Sequence, residues 1–361
     1  MLTAYQTVLT QGLDEIDQSK ITPRQWQVLN HLRDCRTERM GSYDWRCNEC
    51  GHEVTWYCSC RDRHCPNCQA QMREKWLLNR KKDILPVAYH HLVFTLPHEF
   101  NGLTKLDTKT VYGCLFRSVW LTLQAFANER HHLEGQLGAI MVLHTWGRNL
   151  SQHIHIHCLV PGGVLTQEDK WKATRKEHYL FPVKALSVRF KKNMLNLMQS
   201  ELPESGAVLQ QTKEKPWVVY SKPVITKAEA VISYLARYCN RIGLNPAQLH
   251  HMKDKVQMNY RDYRSEKATS MVCSAGEILR RLLLHVLPKG FMRIRYYGFM
   301  ANAVRVKSVE LIRISLENQP IRTENVVEKP VVICPCCGAA KMVMVGLRIR
   351  PVMSERLARP R

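Results

Sequence analysis

The sequence lacks an apolar run long enough to cross a membrane, and its N-terminal stretch lacks a secretion-signal pattern. Acidic residues are scarce, because 31 Asp and Glu stand against 53 Lys and Arg and leave a formal net charge of +22. A balance this basic indicates a polyanionic partner. We therefore expect a cytoplasmic protein that binds nucleic acid and that, in a bacterium, associates with the nucleoid.

Cysteine, by contrast, is abundant, with 14 residues in the chain. Cysteines in a protein without a secretion signal are more typical of metal sites than of disulfides. The length of 361 residues and the hydrophobic content of 45% suffice for two or three domains with a substantial core.

Two C-x-x-C motifs near the N-terminus predict a zinc site. They are separated by 14 residues and comprise Cys47, Cys50, Cys65 and Cys68. Each motif offers two thiolates from one tight turn, so two motifs predict a single tetrahedral cage for Zn²⁺. Cys35, Cys60 and His64 lie nearby and are candidates for further zinc ligands, the alternative being that they are ordinary buried or surface side chains.

A third cysteine motif, Cys334-Pro335-Cys336-Cys337, occurs near the C-terminus without an obvious second half. It is either a half-site completed elsewhere in the chain or a set of free thiols. The surrounding stretch is basic and reads as a tail that contacts phosphates.

The segment from His153 to His157 alternates histidine with isoleucine and predicts a β-strand. Alternate side chains of a strand share a face, so His155 and His157 point the same way and can bind one metal ion. His144, on the preceding apolar run, is our first choice as a third ligand, since a hairpin would bring the two strands together. His153 is the second choice.

A later segment with helical periodicity carries Tyr234 and Tyr238 four positions apart, with Arg237 and Arg241 beside them. Residues i and i+4 of a helix are neighbours, so the two phenols can serve one site and the guanidiniums can hold a phosphate. The alternative is a pair of boundary tyrosines flanked by surface arginines.

Arginines also alternate with aromatic residues in RIRYYGF. Arg293 and Arg295 of this segment are candidate DNA contacts, since cations and rings suit phosphates and bases. An ordinary amphipathic strand is the alternative.

These motifs together resemble the HUH nucleases and, more closely, the rolling-circle transposases of the insertion sequence 91 family. The resemblance spans roughly residues 10–305 and rests on CRTERMGSYDWRCNECGH, SCRDRHCPNCQ, LHTWGRNLSQHIHIHCLVPGG, KPWVVYSKP, YLARYCNRIG and LRRLLLHVLPKGFMRIRYYGFMAN. One position departs from the family pattern, because Asn240 stands where a histidine is expected.

The resemblance implies that His155 and His157 form the metal-binding pair and that Tyr234 and Tyr238 are the nucleophiles. Related relaxases take a third histidine from the adjacent strand, which supports His144. The implied cofactors are a catalytic Mg²⁺ or Mn²⁺ and a structural Zn²⁺. The implied reaction is cleavage and rejoining of single-stranded or hairpin DNA at transposon ends through a 5′-phosphotyrosine.

We therefore expect an α+β fold, with an HUH nuclease core of a central antiparallel sheet flanked by helices and a small N-terminal zinc-binding domain. The expected domains are residues 1–82 (zinc-binding), 83–308 (catalytic) and 309–361 (basic tail). Two alternatives stay open: a plasmid replication initiator or relaxase with the same chemistry, and a non-catalytic zinc-containing DNA-binding regulator.

Overall fold

The computed structural model describes residues 3–130, 133–174, 180–225, 230–231, 243–262, 265–317 and 332–349. The helices are α1 (Ala4–Asp14), α2 (Pro23–Asp34), α3 (Pro66–Lys81), α4 (Phe100–Leu106), α5 (Thr108–Ala125), α6 (Val183–Glu201), α7 (Gly206–Lys213), α8 (Ala275–Leu283) and α9 (Arg305–Ser315). The strands are β1 (Ser42–Cys47), β2 (Glu53–Tyr57), β3 (Tyr89–Thr95), β4 (Gln136–Trp146), β5 (Gln152–Pro161), β6 (Gly163–Leu165), β7 (Trp171–Ala173), β8 (Val218–Ile225), β9 (Leu249–Met252), β10 (Lys255–Arg261), β11 (Ala268–Cys273), β12 (Ile294–Gly298) and β13 (Met342–Arg348).

The chain forms two compact units, each discontinuous in sequence. The first unit comprises residues 1–71, 244–286 and 323–361, and the second comprises residues 72–243 and 287–322. The expected domain boundaries at residues 82 and 308 stay a prediction. The structure differs from that division in one respect, because β13 of the expected tail pairs with β1 of the N-terminal segment.

The second unit is built around a seven-stranded sheet in the order β7-β6-β4-β5-β3-β8, with β12 also paired to β4. Its described neighbouring strands pair antiparallel. Ile140 of β4 faces Leu159 of β5 on one side and Tyr296 of β12 on the other, so β4 is a central strand. A mixed helix and sheet fold with a central antiparallel sheet is thus confirmed.

The two faces of this sheet bury different side chains, because alternate residues of each strand point to opposite sides. One face places Leu143 and Ile156 in the main core with α5 and α6. From α5 this core receives the apolar stripe of Val111, Leu115, Val119 and Leu123. The opposite face carries a smaller apolar cluster that includes Ile140, Val142 and Leu159.

The first unit contains two three-stranded sheets, β13-β1-β2 and β11-β10-β9. Helix α8 is capped at its start by Ser274, whose side chain accepts a hydrogen bond from the amide of Glu277. Helix α1 packs against it closely at Gly12, where a Cβ atom would lie 2.7 Å from the carbonyl oxygen of Ala275. In the described part of the chain, no helix is both long and apolar enough to cross a membrane.

Candidate functional site

Three buried histidines form a cluster on one face of the large sheet, which we call the histidine cluster. His144 of β4 lies directly opposite His155 of β5, and His157 follows two positions later on the same face. The three ligand nitrogens lie within 4.8 Å of one another, and the Nε2 atoms of His155 and His157 are 3.2 Å apart. Neighbouring ligands of an octahedral ion with bonds of about 2.1 Å are separated by about 3 Å. The cluster therefore fits one metal ion.

A backbone contact fixes which nitrogen of His155 is available to a ligand. Its Nδ1 atom lies 3.0 Å from the carbonyl oxygen of His153. A carbonyl only accepts hydrogen bonds, so Nδ1 must carry the proton and donate it. The Nε2 lone pair of His155 then points into the histidine cluster, as a metal ligand requires.

A second contact orients His157. Its Nδ1 atom lies 2.9 Å from Nε2 of His91, a completely buried side chain of β3, and the two rings stack with centroids 5.1 Å apart. When Nδ1–H of His157 donates to His91, the Nε2 lone pair of His157 is free to bind a metal. The sequence prediction missed His91. The sequence signal for this residue is the doublet His90-His91. The pairing of β3 with β5 is needed to show that His91 lies close to His157.

His144 is supported from the other side. Its ring stacks on Trp146 with centroids 4.6 Å apart, and the guanidinium of Arg293 lies 5.7 Å from the Trp146 ring centroid. Arg293 is 7% exposed. The second-choice ligand, His153, is exposed and lies outside the cluster. The structure thus assembles the three histidines of the sequence prediction and places the Arg293 guanidinium against the Trp146 ring that stacks on His144.

Arg295, also predicted to contact DNA, lies on the opposite face of the sheet. It pairs in register with Met141, a residue of the main core. Its guanidinium sits 4.2 Å from the ring centroid of Phe116 and 5.0 Å from that of Phe291. The structure therefore separates Arg295 from the histidine cluster, while its role in binding DNA stays a prediction.

The predicted nucleophiles Tyr234 and Tyr238, with Arg237 and Arg241, lie outside the described residues. The nearest described residue before them is Val231, which is helical and 1% exposed. Val231 belongs to the apolar cluster that contains Val142, and Val142 pairs directly with His157. The chain therefore reaches the histidine-bearing face of the sheet three residues before Tyr234.

Four cysteines of the first unit form what we call the first cysteine cluster: Cys35, Cys60, Cys65 and Cys68. The Sγ atom of Cys68 lies 3.5 Å from that of Cys35 and 3.6 Å from that of Cys60. Zn–S bonds of about 2.3 Å place the sulfurs of a tetrahedral site about 3.8 Å apart. The cluster therefore fits a structural Zn²⁺ ion.

The single cage predicted from Cys47, Cys50, Cys65 and Cys68 is wrong in its grouping. Cys47 and Cys50 lie instead with Cys334 and Cys337, which we call the second cysteine cluster. The physical reason is that different elements of the tertiary structure surround the two motifs. The first motif sits in the turn after β1, whereas Cys65 and Cys68 lie at the start of α3 and meet Cys35 at the end of α2.

His64, a candidate zinc ligand, has a different partner. Its Nδ1 atom lies 2.8 Å from Asp62, whose other carboxylate oxygen lies 2.9 Å from Nδ1 of His31. Burial would raise the pKa of Asp62, but the hydrogen bonds with His31 and His64 outweigh it and hold that pKa well below its usual range. The ionised Asp62 thus ties α2 to the loop that carries Cys60 and Cys65.

Comparisons with known proteins agree with a zinc site near the N-terminus. A family model described as "Transposase zinc-binding domain" matches residues 7–96, and one described as "Putative transposase" matches residues 138–308. The chain is 33% identical to "Putative transposase y4qJ" of Sinorhizobium fredii, over 91% of each protein. It is 27% identical to "Transposase for insertion sequence element IS801" of Pseudomonas savastanoi pv. phaseolicola, over 77% of this chain and 70% of that protein. No solved structure matches.

The clusters and these matches define the chain as a transposase with a zinc-binding domain near its N-terminus. More narrowly, it belongs to the insertion sequence 91 family of transposases.

Proposed function

We propose that this transposase is an HUH nuclease that cuts and rejoins single-stranded DNA at transposon ends by a rolling-circle mechanism. The observation that carries the proposal is the histidine cluster, in which the Nε2 lone pair of His155 is directed inward by the carbonyl of His153. Nothing in an ordinary sheet requires three buried imidazoles on one face. A metal ion bound by the three accounts for their burial and orientation.

The proposed ion is Mg²⁺ or Mn²⁺, held by His144, His155 and His157. When bound, it would polarise the scissile phosphate and offset the charge that develops during attack. Imidazole nitrogen is a softer ligand than carboxylate or water oxygen, and Mn²⁺ is a softer ion than Mg²⁺, so Mn²⁺ should bind more tightly than Mg²⁺ at this site.

The proposed nucleophiles are Tyr234 and Tyr238. The position of Val231 supports this, because it brings the chain to the histidine-bearing face three residues before Tyr234. A free phenol has a pKa of about 10, so it needs cationic neighbours to react at neutral pH. Arg237 and Arg241 are close to the tyrosines in sequence, and the Arg293 guanidinium lies against Trp146, whose ring stacks on His144.

The proposed reaction consumes no cofactor. The phenol oxygen forms a bond to phosphorus, the bond from phosphorus to the 3′ oxygen breaks, and the phenol proton ends on the 3′ oxygen through solvent. The products are a 5′-phosphotyrosine and a free 3′-hydroxyl. The phosphodiester bond energy is kept in the covalent intermediate, so rejoining requires no ATP.

The proposed substrate is a single-stranded or hairpin end, bound mainly through phosphates. The formal net charge of +22 supports a strong electrostatic contribution. Phosphate contacts position the strand, whereas base contacts select the sequence. A bacterial cytoplasmic location with the nucleoid stays a prediction that fits this substrate.

A nicking assay on single-stranded oligonucleotides tests the proposal. The full chain should cleave an oligonucleotide from its own transposon end with Mn²⁺ or Mg²⁺ and leave a protein-linked 5′ end. Tyr57→Phe is the matched control, since Tyr57 is an exposed tyrosine on β2, a strand of the first unit. Cleavage that needs no divalent ion, or that leaves no protein–DNA adduct, would overturn the proposal.

A further inference from the structure

The second cysteine cluster joins two distant parts of the chain. Cys47 lies 3.6 Å from Cys337 and Cys50 lies 3.7 Å from Cys334, measured between Sγ atoms. The first pair is separated by 290 residues in sequence and the second by 284. These distances match the edge of about 3.8 Å of a tetrahedral zinc–thiolate site. They are far longer than a disulfide bond of about 2.0 Å.

The two halves of the cluster have the same backbone conformation. In each, the amide of the first cysteine donates to a carbonyl five residues later, namely Cys47 to His52 and Cys334 to Ala339, both at 2.9 Å. In each, a glycine directly after the second cysteine donates back to the first cysteine, again at 2.9 Å. Those glycines have φ values of 73° (Gly51) and 74° (Gly338), which side-chain-bearing residues rarely adopt.

The matching turns aim both thiol pairs at one point, and burial contributes little to holding the described part of this segment in place. Strand β13 pairs with β1, but most of its side chains are exposed. Among the described residues, the apolar cluster around it has three buried members: Cys47, Cys334 and Met342. So small a core is insufficient to order a strand by burial alone, whereas a structural metal supplies folding free energy directly.

We propose that the second cysteine cluster binds a second structural Zn²⁺ ion, and that this ion fastens the C-terminal segment to β1. Four thiolates in a tetrahedral arrangement select Zn²⁺ over the harder ions expected at the histidine cluster. Two of the ligands, Cys334 and Cys337, lie well beyond residues 7–96, where the zinc-binding domain model matches. The transposase thus carries two zinc ions, and its first unit is complete only when the C-terminus is present.

Zinc content measured by elemental analysis of the purified full chain tests the proposal. Wild type should contain two ions per chain. Cys334→Ser with Cys337→Ser should leave one, and Cys47→Ser with Cys65→Ser should leave none, because these two residues belong to different clusters. Cys336→Ser is the control, since this exposed thiol lies between two ligands but outside the cluster, and it should retain two ions.

Thiol protection provides a second measurement that does not depend on purifying unstable variants in quantity. In the wild-type chain, N-ethylmaleimide should modify Cys336 but not Cys334 or Cys337 until zinc is chelated. In Cys47→Ser with Cys50→Ser, Cys334 and Cys337 should become reactive while the first cysteine cluster stays protected. One zinc per wild-type chain, or two in the variant lacking Cys334 and Cys337, would overturn the proposal, as would labelling of Cys334 in the zinc-loaded wild type.

Discussion

The imidazole of His91 meets that of His157 at 2.9 Å, between Nε2 of the first and Nδ1 of the second. His91 is completely buried on β3, and His157 lies on the neighbouring strand β5. A ligand histidine needs its second nitrogen held by an acceptor, because this sets the ring orientation and keeps the ligating lone pair exposed. In the proposed metal site, His91 is therefore a positioning residue that acts through His157.

We predict that His91→Phe raises the Mn²⁺ concentration that cleavage requires. His91→Gln should restore much of the wild-type requirement. Phenylalanine keeps the ring volume but removes the acceptor, whereas the glutamine amide oxygen can accept from Nδ1–H of His157. Loss of such an outer contact costs about 10–100-fold in metal affinity or activity. The Mn²⁺ concentration for half-maximal cleavage should rise by this factor in His91→Phe, with a smaller rise in His91→Gln.

Oligonucleotide binding, measured without divalent ions, should be the same in both variants as in wild type. A merely structural role for His91 predicts instead that both variants lose binding and thermal stability together. An unchanged Mn²⁺ requirement in His91→Phe would contradict the positioning role.

We predict that His155→Ala or His157→Ala abolishes cleavage and leaves DNA affinity largely intact. The phosphate contacts that dominate affinity come from lysine and arginine, which these changes do not touch. Cleavage and fluorescence-anisotropy binding should be measured in parallel, with His98→Ala as control because the His98 side chain is 85% exposed. Parallel loss of binding and cleavage would mean that the histidines are structural.

Much of the histidine cluster could be predicted from the sequence because its geometry is local. The alternation from His153 to His157 determines which residues share a face, and the polar turn after Trp146 determines that β4 and β5 are neighbours. His91 could not be found in this way. Its approach to His157 depends on pairing between strands 66 residues apart, which periodicity does not specify.

The cysteine clusters show the same limit. The C-x-x-C spacing correctly identified each thiol pair, since a turn brings its two cysteines together. Which pairs share an ion depends on tertiary structure: β13 brings Cys334 to Cys50, and α2 brings Cys35 to Cys68. Four cysteines close in sequence were therefore assigned to one cage although they belong to two.

We predict that Gly298→Ala destabilises the second unit more than Gly290→Ala does. Both glycines have positive φ, 58° and 76°, and an alanine there costs roughly 1–2 kcal/mol. At Gly290 no atom lies within 4 Å of the added Cβ, so this strain is the whole cost. At Gly298 the Cβ would lie 1.6 Å from the carbonyl oxygen of Leu137, so β12 must move away from β4.

Urea denaturation of the two variants should give a clearly lower midpoint for Gly298→Ala. Equal midpoints would show that the β4–β12 contact is not formed as described.

We predict that chelating zinc disrupts the first unit while the histidine cluster of the second unit keeps the metal-binding role proposed for it. Zinc modules of this size depend on metal to fold. Limited proteolysis should therefore cleave between Cys35 and Cys68 only after chelation. Cleavage of a short oligonucleotide at high concentration should recover when Mn²⁺ alone is returned, whereas tight binding should not. Full recovery of tight binding with Mn²⁺ alone would contradict separate roles for the two metals.

The last prediction concerns the division of labour between Tyr234 and Tyr238. On a helix, Cβ atoms four positions apart are separated by about 6 Å, so only one phenol at a time can lie in line with a phosphate at a single metal. One tyrosine should make the first cut, and the other should accept the second strand.

Each Tyr→Phe change removes only a hydroxyl, so the fold should persist. The double variant should form no covalent adduct, and each single variant should keep some oligonucleotide cleavage but lose most transposition. Adducts trapped on an oligonucleotide and mapped by mass spectrometry provide the measurement, with Tyr57→Phe as control. An adduct on any other residue, or normal transposition with one of the two tyrosines changed, would refute the paired roles.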